Sequence, residues 1–160
     1  MFFCLWLVAL YSQSNHSGIS LLDDPQEITG VKNTYAVVVG VSNYKNADMP
    51  QLQYADDDAQ FLYNYLIDSR GGNIPVSHVQ LLTDSAATWN RIWNEFVKKI
   101  NEAKSGDRFI FYFSGHGDAY NAEDSYLLGY DAPAGDKNLY LGNALPIYQI
   151  KSRVKEAEAR

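Results

Sequence analysis

The chain has 160 residues, of which 46% are hydrophobic and 20% charged, as is usual for a single globular domain. Its formal net charge of −6 argues against a protein that binds duplex nucleic acid through a basic surface, whereas a cationic peptide would be attracted. The single cysteine, Cys4, excludes an internal disulfide and a cysteine-rich zinc site.

The chain begins with a short apolar run. Phe2–Leu10 is followed by small and polar residues, as in the hydrophobic region and cleavage zone of a secretory signal peptide. No Lys or Arg precedes the run, and it is shorter than the roughly 20 apolar residues that span a bilayer. We expect a signal peptide at residues 1–13, export to the periplasm or the cell exterior, and a polar linker at 14–33. Cys4 then lies outside the mature domain. The alternative is a misassigned start or a hydrophobic tail without function, on a cytoplasmic protein.

Apolar runs rich in β-branched and aromatic residues predict the strands. Continuous runs at Tyr35–Val41, Val79–Leu82 and Arg108–Phe113 are typical of strands that are buried on both faces of a parallel sheet. Tyr126–Leu128 and Leu139–Leu141 predict two further short strands around a loop.

Apolar residues three to four apart predict helices between these strands. The pattern covers Ala55–Ile67, a stretch that starts at Thr88, and most of 142–159. The alternation of strand and helix predicts a three-layer α/β fold with a mostly parallel sheet flanked by helices and right-handed crossovers.

The segment Ser114–Asp118 follows the third predicted strand directly, at the edge where open parallel sheets place their sites. Within it, His116 stands between Gly115 and Gly117, and glycines allow a tight turn and close approach of a substrate. A histidine at this place can accept and donate protons near neutral pH. The alternative is a turn that carries an incidental surface histidine.

Four segments in collinear order resemble the caspase/metacaspase-like cysteine peptidases. Tyr35–Tyr44 resembles their first strand and the loop after it, and Leu52–Ala59 resembles the segment that enters their first helix. Phe111–Asp118 resembles the loop of the catalytic histidine, and Asp124–Asp131 resembles the stretch that follows it. The resemblance covers residues 34–160 and implies a caspase-like fold that is incomplete at its C-terminus.

The resemblance implies an endopeptidase with a Cys–His dyad that acts on a peptide or protein substrate. His116 matches the catalytic histidine, and the Gly117 N–H matches a donor of the oxyanion hole. Asp58 and Ser114 match residues that line the metacaspase pocket for a basic side chain, which implies cleavage after Arg or Lys. Caspases bind aspartate through arginines instead, and the position of one such arginine is Leu52 here.

Other polar residues have simpler interpretations. Asp56 and Asp57 suit the first turn of a helix, where carboxylates favour the helix dipole, and this alternative stays open for Asp58. His16 and His78 are expected at the surface. No metal-ligand spacing occurs, so we expect no cofactor and assign no metal site, although some metacaspases respond to calcium.

The catalytic cysteine of the resembled family has no counterpart in the chain. The caspase signature places the histidine about 50 residues before the cysteine, whereas 44 residues follow His116 (160 − 116). We therefore expect a fragment that ends before the strand of the cysteine and is inactive alone. One alternative is a catalytically inactive caspase-like scaffold or regulatory module. Another is a flavodoxin-like binding domain, although Ser42–Ala47 lacks a phosphate-binding glycine pattern. The sequence does not predict an oligomeric state.

Overall fold

The computed structural model describes residues 3–10, 31–119, 125–134 and 137–158, with residues 3–10 described by their backbone alone. Most of the predicted signal cleavage zone and linker, residues 11–30, lies outside these ranges, as does His16. No helix in the described ranges is long and apolar enough to cross a membrane.

Among the described residues, six strands form the sheet: β1 (Phe3–Leu10), β2 (Thr34–Gly40), β3 (Val79–Thr83), β4 (Arg108–Ala119), β5 (Ser125–Leu127) and β6 (Leu145–Pro146). The order is β3-β2-β4-β5-β6, and β1 also pairs with β4. β2 runs parallel to β3 and β4, whereas the β1–β4, β4–β5 and β5–β6 pairs are antiparallel. The sheet is mixed rather than mostly parallel as predicted, because the chain after β4 returns through short connections instead of helical crossovers.

In the described ranges, three helices pack against the sheet: α1 (Ala55–Ile67), α2 (Trp89–Glu102) and α3 (Ile147–Glu158). Alternate residues of a strand point to opposite faces, and β2 and β4 are apolar on both. On one face, Ala59 and Leu66 of α1 pack with Tyr112 of β4. On the other face, α2 packs against β4 in the main core, where Phe96 makes edge-to-face contacts with Phe109 and Phe111. In the same core, α3 packs against α2, β5 and β6.

The strand predicted at Leu139–Leu141 is wrong. Residues Lys137–Tyr140 form a 3₁₀ turn, and the nearby short strand is Leu145–Pro146. Leu139 and Leu141 are 49% and 80% exposed, so the apolar side chains that predicted a buried strand do not pack in the core.

β4 is longer than the apolar pattern predicted, and it includes the segment Ser114–Asp118. Val41 N–H donates to the Ser114 carbonyl at 2.9 Å, and Leu128 N–H donates to the His116 carbonyl at 2.9 Å. Carbonyls of alternate strand residues point to the same edge. β2 and β5 therefore pair with the same edge of β4, and β5 does so beyond the point where β2 ends. The expectation of a tight turn at the glycines is therefore wrong, because pairing with β5 keeps this segment extended.

Candidate active site

His116 is buried in β4, with 5% of its surface exposed. Its backbone N–H donates to the phenol oxygen of Tyr44 at 2.7 Å, and its side-chain Nε2 lies 2.7 Å from the backbone oxygen of Pro50. The Tyr44 and His116 rings contact each other with centroids 5.0 Å apart and planes tilted by 32°. The histidine is thus held at its backbone, at one ring nitrogen and at one ring face.

The contact with Pro50 determines the tautomer of His116. A backbone carbonyl oxygen can only accept a hydrogen bond, so Nε2 carries the proton in the neutral imidazole. Nδ1 is then the ring nitrogen that can accept a proton from a thiol. A carbonyl that orients a catalytic base in this way acts like the third member of a nucleophile–base–orienting-group triad.

Tyr44 and Pro50 belong to one loop, residues 42–51, which connects β2 to α1. The Gln51 side chain binds both backbone groups of Tyr44. The Tyr44 N–H donates to Gln51 Oε1 at 2.7 Å, and Gln51 Nε2 donates to the Tyr44 carbonyl at 3.4 Å. Burial raises the pKa of the Tyr44 phenol well above 10, outweighing the hydrogen bond from His116, which lowers it. The phenol is therefore neutral at physiological pH and accepts the His116 N–H.

Asp84, which follows β3, anchors the start of the 42–51 loop. Its Oδ1 accepts the backbone N–H groups of Ser42 and Asn43, each at 2.9 Å, and its Oδ2 accepts the Asn43 side-chain amide at 2.7 Å. Burial alone would raise the pKa of Asp84, but these hydrogen bonds stabilise the carboxylate and lower the pKa below its usual value.

Gly117 follows His116 in β4. Its backbone N–H and carbonyl point to the strand edge opposite to the one where the His116 backbone groups point. It pairs with Leu127 in the non-hydrogen-bonded manner, because the flanking bond runs from Leu128 N–H to the His116 carbonyl. The Gly117 N–H therefore points away from β5. β1 pairs with the same opposite edge, but its register ends at Phe3 against His116, one residue before Gly117.

Asp58 and Ser114, the residues predicted to bind a basic side chain, each interact with Tyr112. Burial raises the pKa of the Tyr112 phenol, its hydrogen bond with Ser114 lowers it, and the Asp58 charge raises it. Tyr112, Ser114 and His116 are two residues apart and share one face of β4. Asp58 is exposed on α1, and Ser114 is buried. The structure thus groups a carboxylate, a hydroxyl and a phenol on the face that carries His116.

Other residues considered in the sequence have structural roles. Asp56 accepts the Ser42 hydroxyl, and its own N–H donates back to that oxygen at 3.1 Å. Leu52 is half-buried against the main core. His78 is not a surface residue as expected, because it is half-buried and its ring stacks on Tyr35 at 4.3 Å. No group of three or more His, Cys, Asp or Glu residues that could hold a metal was found in the described part of the chain.

The roles of Tyr44, Pro50 and Tyr112 were not predicted from the sequence. Pro50 acts through its backbone oxygen, which any residue would offer, so no sequence signal marks it. A tyrosine two residues after Ser42 and a second one in the apolar strand both resemble ordinary loop and core residues. The backbone register also places Cys4 opposite Gly115.

The family model described as caspase domain, of the peptidase C14 group, matches residues 33–152. A comparison with curated proteins returned no match.

Proposed function

Because this chain belongs to the caspase-domain family of cysteine peptidases, we propose that it is the histidine-bearing part of an endopeptidase with a Cys–His dyad. The family assignment makes it a peptidase domain whose substrates are proteins. His116 is the histidine of the dyad, and the thiol comes from a cysteine encoded downstream of Arg160. The 160 residues alone are then inactive.

In the proposed cycle, His116 accepts a proton twice and donates a proton twice. Nδ1 takes the proton of the thiol, and the thiolate attacks the scissile carbonyl carbon to form a tetrahedral intermediate. The Gly117 N–H donates to the oxyanion. When the C–N bond breaks, His116 gives the proton to the leaving amine, and an acyl-enzyme remains. His116 then takes a proton from water, and the resulting hydroxide attacks the thioester carbonyl. The acid product leaves, and His116 returns the proton to the departing thiolate, which restores the thiol.

One observation supports this proposal above the others: Nε2 of the buried His116 is 2.7 Å from the Pro50 oxygen. Any buried histidine requires a hydrogen-bond partner, and for His116 that partner is a carbonyl oxygen on Nε2, which makes Nδ1 the unprotonated nitrogen. Here the contact leaves the basic nitrogen available to a thiol. The mechanism uses protein groups alone, so we propose no cofactor and assign no calcium site.

Asp58, Ser114 and Tyr112 support cleavage after Arg or Lys. A guanidinium or ammonium group can pair with the Asp58 carboxylate and donate to the two hydroxyl oxygens. The half-buried Leu52 offers no positive charge for an acidic side chain. We also propose, from the apolar run at Phe2–Leu10, that the protein is exported.

An inactive caspase-like scaffold is the competing proposal. It predicts no cysteine-bearing strand after Arg160. The first experiment is therefore to read the encoding DNA past the codon for Arg160. An open frame that reaches a hydrophobic strand and a cysteine within about 10–20 residues supports the peptidase. A stop codon directly after Arg160 supports the scaffold.

The second experiment uses the complete open frame and fluorogenic peptides that end in Arg, Lys or Asp. We expect cleavage after Arg or Lys and none with His116→Ala. Asp58→Asn should lower kcat/KM for the Arg peptide roughly ten- to hundredfold, since a hydrogen bond to a charged group contributes about 1.5–3 kcal/mol. Asp57→Asn, an exposed neighbour in the same helical turn, is the matched control and should have little effect. Equal losses in both variants, or a preference for Asp peptides, would contradict the assignment of Asp58.

A further inference from the structure

The backbone of His116 lies where β4 loses its neighbour β2. The last bond between the two chain segments runs from Val41 N–H to the Ser114 carbonyl at 2.9 Å. The chain then leaves the sheet at Ser42. The His116 N–H points to the same edge two residues further on, where β2 no longer provides a carbonyl oxygen, and a buried N–H without an acceptor is costly.

Tyr44 provides the missing acceptor. Its phenol oxygen accepts the His116 N–H at 2.7 Å, and its ring, which is 5% exposed, lies against the imidazole. Two residues of the same loop therefore contact the histidine from different sides, because Pro50 accepts Nε2–H. Gln51 directly follows Pro50 in the chain, and its side chain accepts the Tyr44 N–H. This hydrogen bond fixes the Tyr44 backbone relative to Pro50.

We propose that Tyr44 is a positioning residue for His116. Its hydroxyl replaces the ladder carbonyl that β2 would have supplied, and its ring limits rotation of the imidazole. Together these contacts keep Nε2 on the Pro50 oxygen and Nδ1 available as the base. The catalytic consequence rests on the proposed peptidase function, whereas the positioning itself can be measured in the chain as it stands.

The test is nuclear magnetic resonance on the 160-residue chain with Tyr44→Phe, which keeps the ring and removes only the acceptor. We expect the His116 amide to exchange with solvent at least tenfold faster than in the unsubstituted chain. The Tyr112 amide, which lies on the same edge but within the β2–β4 register, is the internal reference and should change much less. The ¹⁵N shifts of the imidazole should move from a pure Nε2–H tautomer towards a mixture.

Tyr63→Phe is the matched control, because Tyr63 is a half-buried tyrosine of α1 that packs against the core cluster containing Ala59 and Leu66. It should leave the tautomer and the His116 exchange rate unchanged. If Tyr44→Phe speeds exchange at His116 and Tyr112 equally, the effect is global unfolding and the proposal is wrong. An unchanged tautomer in Tyr44→Phe refutes it as well.

Two additions keep the test decisive. If Tyr44→Phe does not fold, 3-fluorotyrosine at position 44, whose oxygen is a weaker acceptor, must shift His116 in the same direction, and no shift overturns the proposal. In the complete protein, Tyr44→Phe should lower kcat at least tenfold and leave KM for the Arg peptide within about twofold. A complete protein without any activity would refute the peptidase function, while the resonance result would still decide the role of Tyr44.

Discussion

Gly115 is the position where one added methyl group would disturb the histidine most directly. A Cβ built there lies 2.9 Å and 3.0 Å from two ring carbons of Phe113 and 3.0 Å from the hydroxyl of Tyr44. Carbon atoms in favourable contact are roughly 3.5–4.0 Å apart. Phe113 is fully buried and Tyr44 nearly so, which means that neither ring can move into solvent.

The size of the effect follows from this overlap. Forcing an extra methyl group into a packed core costs about 1–3 kcal/mol. With a urea m-value of roughly 2 kcal/mol/M, the unfolding midpoint of Gly115→Ala should fall by about 0.5–1.5 M. The displaced Tyr44 hydroxyl should also lengthen its bond with the His116 N–H, and amide exchange at His116 should rise more than at Tyr112.

Urea unfolding followed by circular dichroism measures the loss, and a double mutant isolates its cause. Tyr44→Phe removes the oxygen that the new methyl group would meet, so Gly115→Ala should cost less in the Tyr44→Phe background. A coupling of 0.5 kcal/mol or more is expected for residues in contact, whereas independent sites add to within about 0.3–0.5 kcal/mol. Strict additivity, or a loss below about 0.5 kcal/mol for Gly115→Ala alone, would refute the reasoning.

Two further predictions concern the loop anchor and the thiol. Because the pKa of Asp84 is lowered in the folded chain, its stabilising effect is present above the unfolded value of roughly 3.9 and is lost as the pH falls through the lower folded value. Asp84→Asn should therefore lower the free energy of unfolding at pH 7 and weaken its dependence on pH between about pH 4 and 2, as measured by urea unfolding. If the free energy of unfolding changes with pH in parallel for the variant and the unsubstituted chain, the prediction is contradicted. Cys4→Ser in the complete protein should retain the full kcat, because we assign the nucleophile to a downstream cysteine, whereas loss of cleavage would identify Cys4 as the thiol.

Elements with a strong local pattern could be predicted from the sequence. The bounds of α1, Ala55–Ile67, agree with the prediction, because its buried alanines and leucines recur at helical spacing. Thr88 indicated the start of α2, and its hydroxyl accepts the Arg91 N–H there. Apolar runs between polar turns likewise predicted β3, at Val79–Leu82, and the first part of β4, at Arg108–Phe113.

Features that depend on distant pairing could not be predicted in this way. Nothing in Ser114–Asp118 marks it as strand, because its extended form depends on β5 taking over the edge that β2 leaves. The two contacts that fix His116 come from Tyr44 and from the backbone of Pro50, more than 60 residues earlier in the chain. Such contacts depend on the path of the loop, which hydrophobic periodicity does not describe.

The backbone groups of His116 and Gly117 point to opposite edges of β4. The edge shared with β2 and β5 holds the His116 backbone, while the Gly117 N–H points to the opposite edge. Under the proposed function, we expect a thiol and a scissile carbonyl that use both residues to meet at that opposite edge, with Ser114 and Tyr112 on the adjoining face. β1 pairs with the same edge along Phe109–His116. Since one edge accepts one strand, we propose that a strand carrying the nucleophile joins β4 there only after Phe3–Leu10 has left it, and that removal of the proposed signal peptide at residues 1–13 frees the edge.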